Sequence, residues 1–294
     1  MSEENGEAVK SFCASCGIAG GDDVKLKDCS ACKLVKYCGV KCQKEHRPQH
    51  KKDCKKRAAE LRDELLFKQP ESTHWGNCPI CCLPMPLDLN KTTFFECCSK
   101  MICQGCNRAN KIREVTNSLA KSCPFCREPI SSAVDRLTMK RVEANDPVSI
   151  WREGAKHYNK EDYHTAVEYW KKAAELGDVG AHYNLSCLYH EGLGVEKDVG
   201  KEIYHLEVAT IGGHPDARCR LAGHELKNGN TERSVKHATI AATQGHDNAM
   251  KFLMGAFKMG IVRKEELDAA LRAHHAAVNA TKSPQREAAE KKVG

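Results

Sequence analysis

The chain has 294 residues, 18 cysteines and a formal net charge of +7. Sixteen of the cysteines fall between Cys13 and Cys126, leaving Cys187 and Cys219 alone in the second half, so several modules of different construction are expected. No apolar run approaches the roughly 18 residues that a membrane span needs, which excludes a membrane protein of the helical kind. Met1-Ser2-Glu3-Glu4 lacks the basic and apolar regions of a secretory signal, so the expected setting is intracellular, cytoplasmic or nuclear, without a membrane partner. In a reducing compartment, paired cysteines with histidine at ligand spacing read as metal ligands rather than disulfides. Zinc is the expected metal. On the assignments below, fifteen thiolates and four zinc ions together carry a charge of −7 and cancel the formal excess. Nucleic acid, whose binding rests on surplus Lys and Arg, is therefore not an expected partner. The local basic stretch Lys51, Lys52, Lys55, Lys56 and Arg57 reads as a solvated helix end.

The first cluster is Cys13-x2-Cys16, Cys29-x2-Cys32, Cys38-x3-Cys42 and His50-x3-Cys54. Its 42 residues are too few to bury a sufficient apolar core, so metal must hold it. A two-residue gap lets both thiolates of a knuckle reach one tetrahedral ion. The i, i+4 spacing of His50 and Cys54 puts both on one face of a helical turn. His46, four residues from both Cys42 and His50, competes for the histidine position. The order and gaps, with Tyr37-Cys38 and Cys42-Gln43, resemble the MYND zinc finger over residues 13–54. The resemblance implies one zinc on Cys13, Cys16, Cys38 and Cys42, and a second on Cys29, Cys32, His50 and Cys54. It also implies a protein-interaction module for short proline-containing peptides, with Gln43 at a peptide-contact position. Arg47, followed by Pro48, replaces the tryptophan common in that family, which removes an aromatic face.

Residues 55–77 read as a helical linker, with a short charged helix from Lys55 to Lys68 and Pro70 ending the pattern. The second cluster follows: Cys78-Pro79-Ile80-Cys81, Cys97-Cys98, Cys103-x2-Cys106 and Cys123-Pro124-Phe125-Cys126. Adjacent Cys97 and Cys98 reach one ion only if the peptide between them turns suitably. Cys82, a ninth cysteine beside the first knuckle, reads as a small buried apolar residue, with a replacement ligand as the alternative. The layout resembles a RING finger over residues 78–130, with Lys100 where most members have a histidine, hence an all-cysteine variant. The resemblance assigns Cys78, Cys81, Cys103 and Cys106 to one zinc, and Cys97, Cys98, Cys123 and Cys126 to the other. Such fingers in ubiquitin ligases position a charged ubiquitin-conjugating enzyme. Ile80, Pro124 and Arg127 occupy the contact positions, and Arg127 has the planar donor fork suited to bridging two proteins.

From about Asp146 the text becomes Ala-, Leu-, Tyr- and Gly-rich with a recurrence of 32 to 36 residues. Ala181, Ala217 and Ala249 align, each followed four residues later by Leu185, Leu221 or Leu253. Each unit reads as helix, Gly-rich turn, helix, Gly turn. Tyr183-Asn184-Leu185, Tyr189-His190-Glu191-Gly192-Leu193-Gly194-Val195 and Asp198 resemble the SEL-one-like repeat, a tetratricopeptide relative, over residues 147–278. Such stacks usually serve as scaffolds. Trp151, Trp170, Tyr163 and Tyr169 read as core, while His237, His246, His274 and His275 read as surface or capping residues. Residues 279–294 read as a flexible tail.

The expected architecture is multidomain: two small zinc-stabilised, cross-braced modules followed by an all-α solenoid of helix pairs. The expected function is a zinc-binding protein-interaction protein, with RING-type ubiquitin ligase activity and partners recruited by the MYND finger and repeats. The alternative is a non-enzymatic zinc scaffold or regulatory adaptor. No motif points to a phosphate loop, a nucleophilic triad or a metal with an open position.

Overall fold

The computed structural model describes residues 11–130 and 134–290, so the reading of Met1–Glu4 lies outside the described residues. The chain forms two compact units that divide between Lys68 and Gln69.

In the first unit, β1 (Lys27–Asp28) pairs antiparallel with β2 (Lys36–Tyr37), and α1 (Val40–Leu66) follows. The short helix expected from Lys55 is the second half of this 27-residue helix, which already contains His50 and Cys54. Their i, i+4 spacing is satisfied only if the helix runs through them. Pro48 is tolerated inside it. Beyond Cys54 the helix carries local ion pairs, with Arg57 reaching Glu60 at 3.2 Å and Glu64 at 2.8 Å. Its buried residues are His50 and Leu66.

The second unit begins with an irregular segment: the helix ends at Leu66, two residues before the expected end at Lys68, and the linker around Pro70 is not helical. It lies against the solenoid described below: the His74 amide donates to the Gly213 carbonyl at 3.1 Å. A Cβ on Gly213, at φ +83°, would meet the Ser72 carbonyl oxygen at 2.8 Å, so this close approach requires glycine. Next come β3 (Thr92–Phe95) and β4 (Lys100–Cys103), an antiparallel hairpin with Thr92 opposite Cys103, and then α2 (Gln104–Thr116). Met85, Phe95 and Ile102 pack with the buried cysteines as a small core.

After α3 (Val134–Glu143), eight helices pair in sequence. They are α4 (Pro147–Asn159) with α5 (Tyr163–Glu175), α6 (Val179–Glu191) with α7 (Val199–Ile211), α8 (Pro215–Lys227) with α9 (Thr231–Thr243), and α10 (Asp247–Lys258) with α11 (Lys264–Ala280). Chain direction reverses at fixed signals. Asp146, Asp162, Asp178 and Asp198 accept amide hydrogen bonds at helix starts. His214 and His246 do the same through ring nitrogens. Gly177, Gly213 and Gly245 take positive φ after the second helix of successive pairs. Ala181, Ala217 and Ala249 are fully buried, which lets neighbouring helices approach closely. Trp170 is core, and Trp151, Tyr163 and Tyr169 pack against the same cluster.

Two expectations fail in this half. His237 and His274 are buried rather than surface residues, and His274 Nε2 lies 3.0 Å from Asp247 Oδ1. The tail is not free: residues 284–290 form α12 (Pro284–Glu290), packed on α2, and only the last four residues lie outside the described ones. Its anchor is buried Arg286, whose guanidinium donates to the carbonyls of Pro84 at 2.8 Å, Leu83 at 3.3 Å and Thr281 at 2.7 Å. A polar composition does not predict fraying when one arginine finds several fixed acceptors. Among the described residues, no helix is long and apolar enough to cross a membrane.

Candidate metal centres

The cysteines come together through one repeated turn. In Cys13-x2-Cys16, Cys29-x2-Cys32, Cys78-x2-Cys81 and Cys123-x2-Cys126, the amide of the residue after the second cysteine donates to the first cysteine's carbonyl. The donors are Gly17, Lys33, Cys82 and Arg127, at 2.9, 3.0, 2.8 and 3.1 Å. Closing that turn forces each into the left-handed region, with φ of +73°, +58°, +57° and +61°. A non-glycine residue there is disfavoured by about 1–2 kcal/mol. Three of the four knuckles accept this strain, which indicates that something beyond the peptide holds them closed. Cys82 is thereby corrected: it is exposed at the strained position, not a buried apolar filler.

Each knuckle meets a second pair from elsewhere in the chain. In the first unit, Cys13, Cys16, Cys38 and Cys42 converge, as do Cys29, Cys32, His50 and Cys54. Cys16 Sγ lies 3.6 Å from Cys38 Sγ, Cys38 Sγ lies 3.5 Å from Cys42 Sγ, and Cys29 Sγ lies 3.7 Å from Cys54 Sγ. His50 Nε2 lies 3.1 Å from Cys32 Sγ. The competing His46 stacks on His50, and its Nδ1 bonds the Tyr37 hydroxyl at 3.0 Å. In the second module, Cys78, Cys81, Cys103 and Cys106 form one group, and Cys97, Cys98, Cys123 and Cys126 the other. Sulfur separations include 3.8 Å for Cys81–Cys103, 3.5 Å for Cys98–Cys123 and 3.4 Å for Cys97–Cys126. Cys97 and Cys98 sit in the tight β3–β4 turn, where Ser99 takes φ +52° and the Cys98 amide donates to Phe95. Within all four groups the ligand atoms lie within 4.8 Å of one another. A tetrahedral zinc with Zn–S bonds of about 2.3 Å has edges of about 3.8 Å.

Electrostatics points the same way. Backbone amides of Cys16 and Cys38 bring the Cys13 thiol down to about 6, while hydrogen bonds with Cys42 and Cys16 push Cys38 up to about 12. Burial raises Cys29, but amides of Cys32 and Ala31 outweigh it and bring the thiol to about 6. Burial and the Cys29 sulfur push Cys54 up to about 11. Burial likewise opposes ionisation of Cys78, yet amides of Cys103, Cys81 and Ile80 lower it to about 7. Burial, then the Cys126 and Cys123 sulfurs, drive Cys97 upward, and burial with Cys123 pushes Cys98 to about 11. In each group one thiol, Cys13, Cys29, Cys78 or Cys123, is pulled below its ordinary value, while at least one neighbouring thiol is pushed above it. A dication lets all four donors of a group bind as thiolate or neutral imidazole. The donor sets, spacing and strained turns fit four Zn2+ sites.

The second module is tied to its surroundings at the clusters themselves. Arg286 Nη2 donates to Cys81 Sγ at 3.2 Å, Arg141 Nε to the Cys97 carbonyl at 3.0 Å, and the Arg152 guanidinium lies 4.7 Å from the Phe94 ring centroid. Of the three conjugating-enzyme contact candidates, Ile80 is 45% exposed at its knuckle, Arg127 is exposed and Pro124 is partly buried. Gln43 and Arg47 both lie on α1.

Comparisons with known proteins give two family matches: the MYND finger over residues 13–54, and the Sel1 repeat over residues 155–178, 179–214 and 215–246. The chain is 39% identical over 56 residues to a putative beta-lactamase HcpC of Helicobacter pylori, covering 19% of each chain. It is 55% identical over 31 residues to human histone-lysine N-methyltransferase SMYD3, covering 10% of this chain and 7% of that one. It therefore spans about a fifth or less of the length of these relatives. Among solved structures, a Sel1 repeat protein from Oxalobacter formigenes aligns with TM-score 0.44 and 22% identity, over 59% of this chain and 72% of that chain. The protective antigen c5321 of uropathogenic Escherichia coli aligns with TM-score 0.39 and 20% identity, over 57% and 37%. The chain thus carries a MYND finger at 13–54, a second zinc-fitting cysteine module, and a helical solenoid with Sel1 repeats at 155–246.

Proposed function

We propose that the protein is a RING-type ubiquitin ligase whose MYND finger and Sel1 repeats recruit its partners. The sixteen ligands divide as the four convergent groups do, and the second module, residues 78–130, acts by positioning a ubiquitin-conjugating enzyme. Ile80 carries this reading. It is a branched apolar side chain, 45% exposed at a knuckle tip, where the first unit's knuckles hold Ser15 and Ala31. An apolar residue left in water at a rigid turn is suited to insertion into a partner. Arg127, exposed at the end of the other knuckle, supplies a donor fork for bridging ubiquitin and the enzyme.

One observation favours a second reading, a non-enzymatic scaffold. Arg286 on α12, Arg141 on α3 and Arg152 on α4 knit the second module to the helices around it, as expected of a structural cap on the repeat stack. An in vitro ubiquitination assay on zinc-loaded protein, with a panel of conjugating enzymes, separates the two. The ligase reading expects chain formation that falls at least tenfold in both Ile80→Ala and Arg127→Ala. Protein carrying four zinc ions but inactive with every conjugating enzyme is the outcome expected of a scaffold.

A further inference from the structure

Among the described residues, one further group of metal-ligating atoms outside the cysteine clusters converges inside the solenoid. Glu202 on α7 has only 1% of its side chain exposed, and a single oxygen, Oε1, faces two imidazoles. His224 Nε2 on α8 lies 2.8 Å from it, and His190 Nδ1 in the last turn of α6 lies 2.9 Å from it. All three ligand atoms lie within 4.8 Å of one another.

The repeat register marks these residues as departures. Glu202 stands four residues after the N-cap Asp198, and the positions four after the caps Asp162 and Asn230 hold Ala166 and Ser234, both fully buried. His224 stands seven residues after Ala217, and the positions seven after Ala181 and Ala249 hold Leu188 and Ala256, again buried. Where the stack elsewhere takes small or apolar side chains, this interface takes a carboxylate and an imidazole that touch. A buried carboxylate needs positive charge beside it. Arg220 is the nearby permanent cation, yet its Nη2 stands 3.5 Å from Glu202 Oε1, while its Nη1 makes the shorter contact, 2.7 Å, to Cys187 Sγ.

We propose that His190, Glu202 and His224 form a fifth metal site, for a divalent ion of the zinc, cobalt or nickel class, with water completing the coordination. Two imidazoles and one carboxylate are the donor set these ions take in sites with an open position. Metal bonds of about 2.0–2.1 Å place neighbouring donors about 3.3 Å apart, so side-chain rotation by a few tenths of an ångström opens the present contacts into a coordination shell. Each imidazole coordinates through the nitrogen that now faces Oε1 and keeps its proton on the other ring nitrogen. Any proton displaced by the ion passes to solvent. His190, 47% exposed, provides the entry. Because the ligands come from α6, α7 and α8, the ion clamps one helix pair to the next.

The test uses the full chain carrying its four zinc ions, titrated with Co2+ in equilibrium dialysis and followed by visible absorption. The expected result is one further equivalent whose spectrum lacks the thiolate-to-cobalt charge-transfer band that all four cysteine-containing clusters would give. His190→Ala, which alters an exposed side chain, and His224→Ala each weaken that equivalent at least tenfold. His164→Ala, at a side chain 79% exposed and outside the group, leaves it unchanged. No further equivalent at about a hundred micromolar Co2+, or one that survives His190→Ala and His224→Ala alike, overturns the proposal.

Discussion

The two cysteine modules use the same knuckle and depend on it to different degrees. In the first, the buried residues between Cys13 and Cys42 are three cysteines and Tyr37, so almost everything that excludes water there is itself a ligand. In the second, Met85, Phe95 and Ile102 form an apolar layer among the ligands, and Arg286 and Arg141 anchor the clusters from helices outside the module. Metal is the core of the first and one support among several of the second. A zinc finger's dependence on zinc is therefore set by what else its chain buries.

The largest effects should come from the ligands. Structural zinc contributes about 10–16 kcal/mol of apparent binding energy in peptide models, and Cys32 and Cys103 are equally buried, at 1% exposure. Cys32→Ser should lower bound zinc from four to two, because cross-bracing couples the two sites of the first module, with the repeats still helical by circular dichroism. Cys103→Ser should remove one zinc cleanly and leave the remaining site of the second module occupied. Equal losses in the two variants, counted by elemental analysis, would break the contrast.

Next in size, Arg286→Ala removes several charge-assisted hydrogen bonds to fixed acceptors, and should destabilise the second module by about 2–3 kcal/mol. Chelator competition should then strip zinc faster from Cys78–Cys126 and at an unchanged rate from Cys13–Cys54.

The solenoid should respond to pH through His246 and Asp216. Burial works against the His246 charge, but the Asp216 carboxylate 3.0 Å away and Cys219 hold its pKa up to about 9. A raised pKa stabilises the fold fully below the unfolded value of about 6.5, and that contribution is lost as pH rises through about 9. The hydrogen bond from His246 depresses the Asp216 pKa, so its contribution is present above the ordinary aspartate range and lost on acidification. Thermal melts of the helices should fall between pH 6.5 and 9, and the fall should shrink in Asp216→Asn. The smallest effect concerns backbone strain: Lys33→Gly, at φ +58°, should slow zinc loss from the first module by an amount worth about 0.5–1 kcal/mol.

The knuckles and repeats are legible because spacing carries them. Two cysteines three apart, or an alanine recurring every 32 to 36 residues, state a geometry directly in the sequence. The turn that brings Cys97 and Cys98 to one side of a cluster is not stated there, since it depends on the β3–β4 pairing. Cys82 misleads for a related reason: its exposure follows from the knuckle's positive φ, not from its own apolarity. Arg286 leaves no signal, because its acceptors are backbone carbonyls about two hundred residues earlier in the chain. Glu202 and His224 do leave one, as charged or polar residues at register positions that hold Ala166, Ser234, Leu188 and Ala256.

Hydrogen exchange on the full chain, before and after complete zinc removal under reducing conditions, tests most directly the claim that metal replaces a core in the first module. Amides of residues 13–54 should lose all protection, those of Thr92–Phe95 and Lys100–Cys103 only part of it, and those of α5 to α10 none. Protection retained throughout residues 13–54 in zinc-free protein would contradict the account.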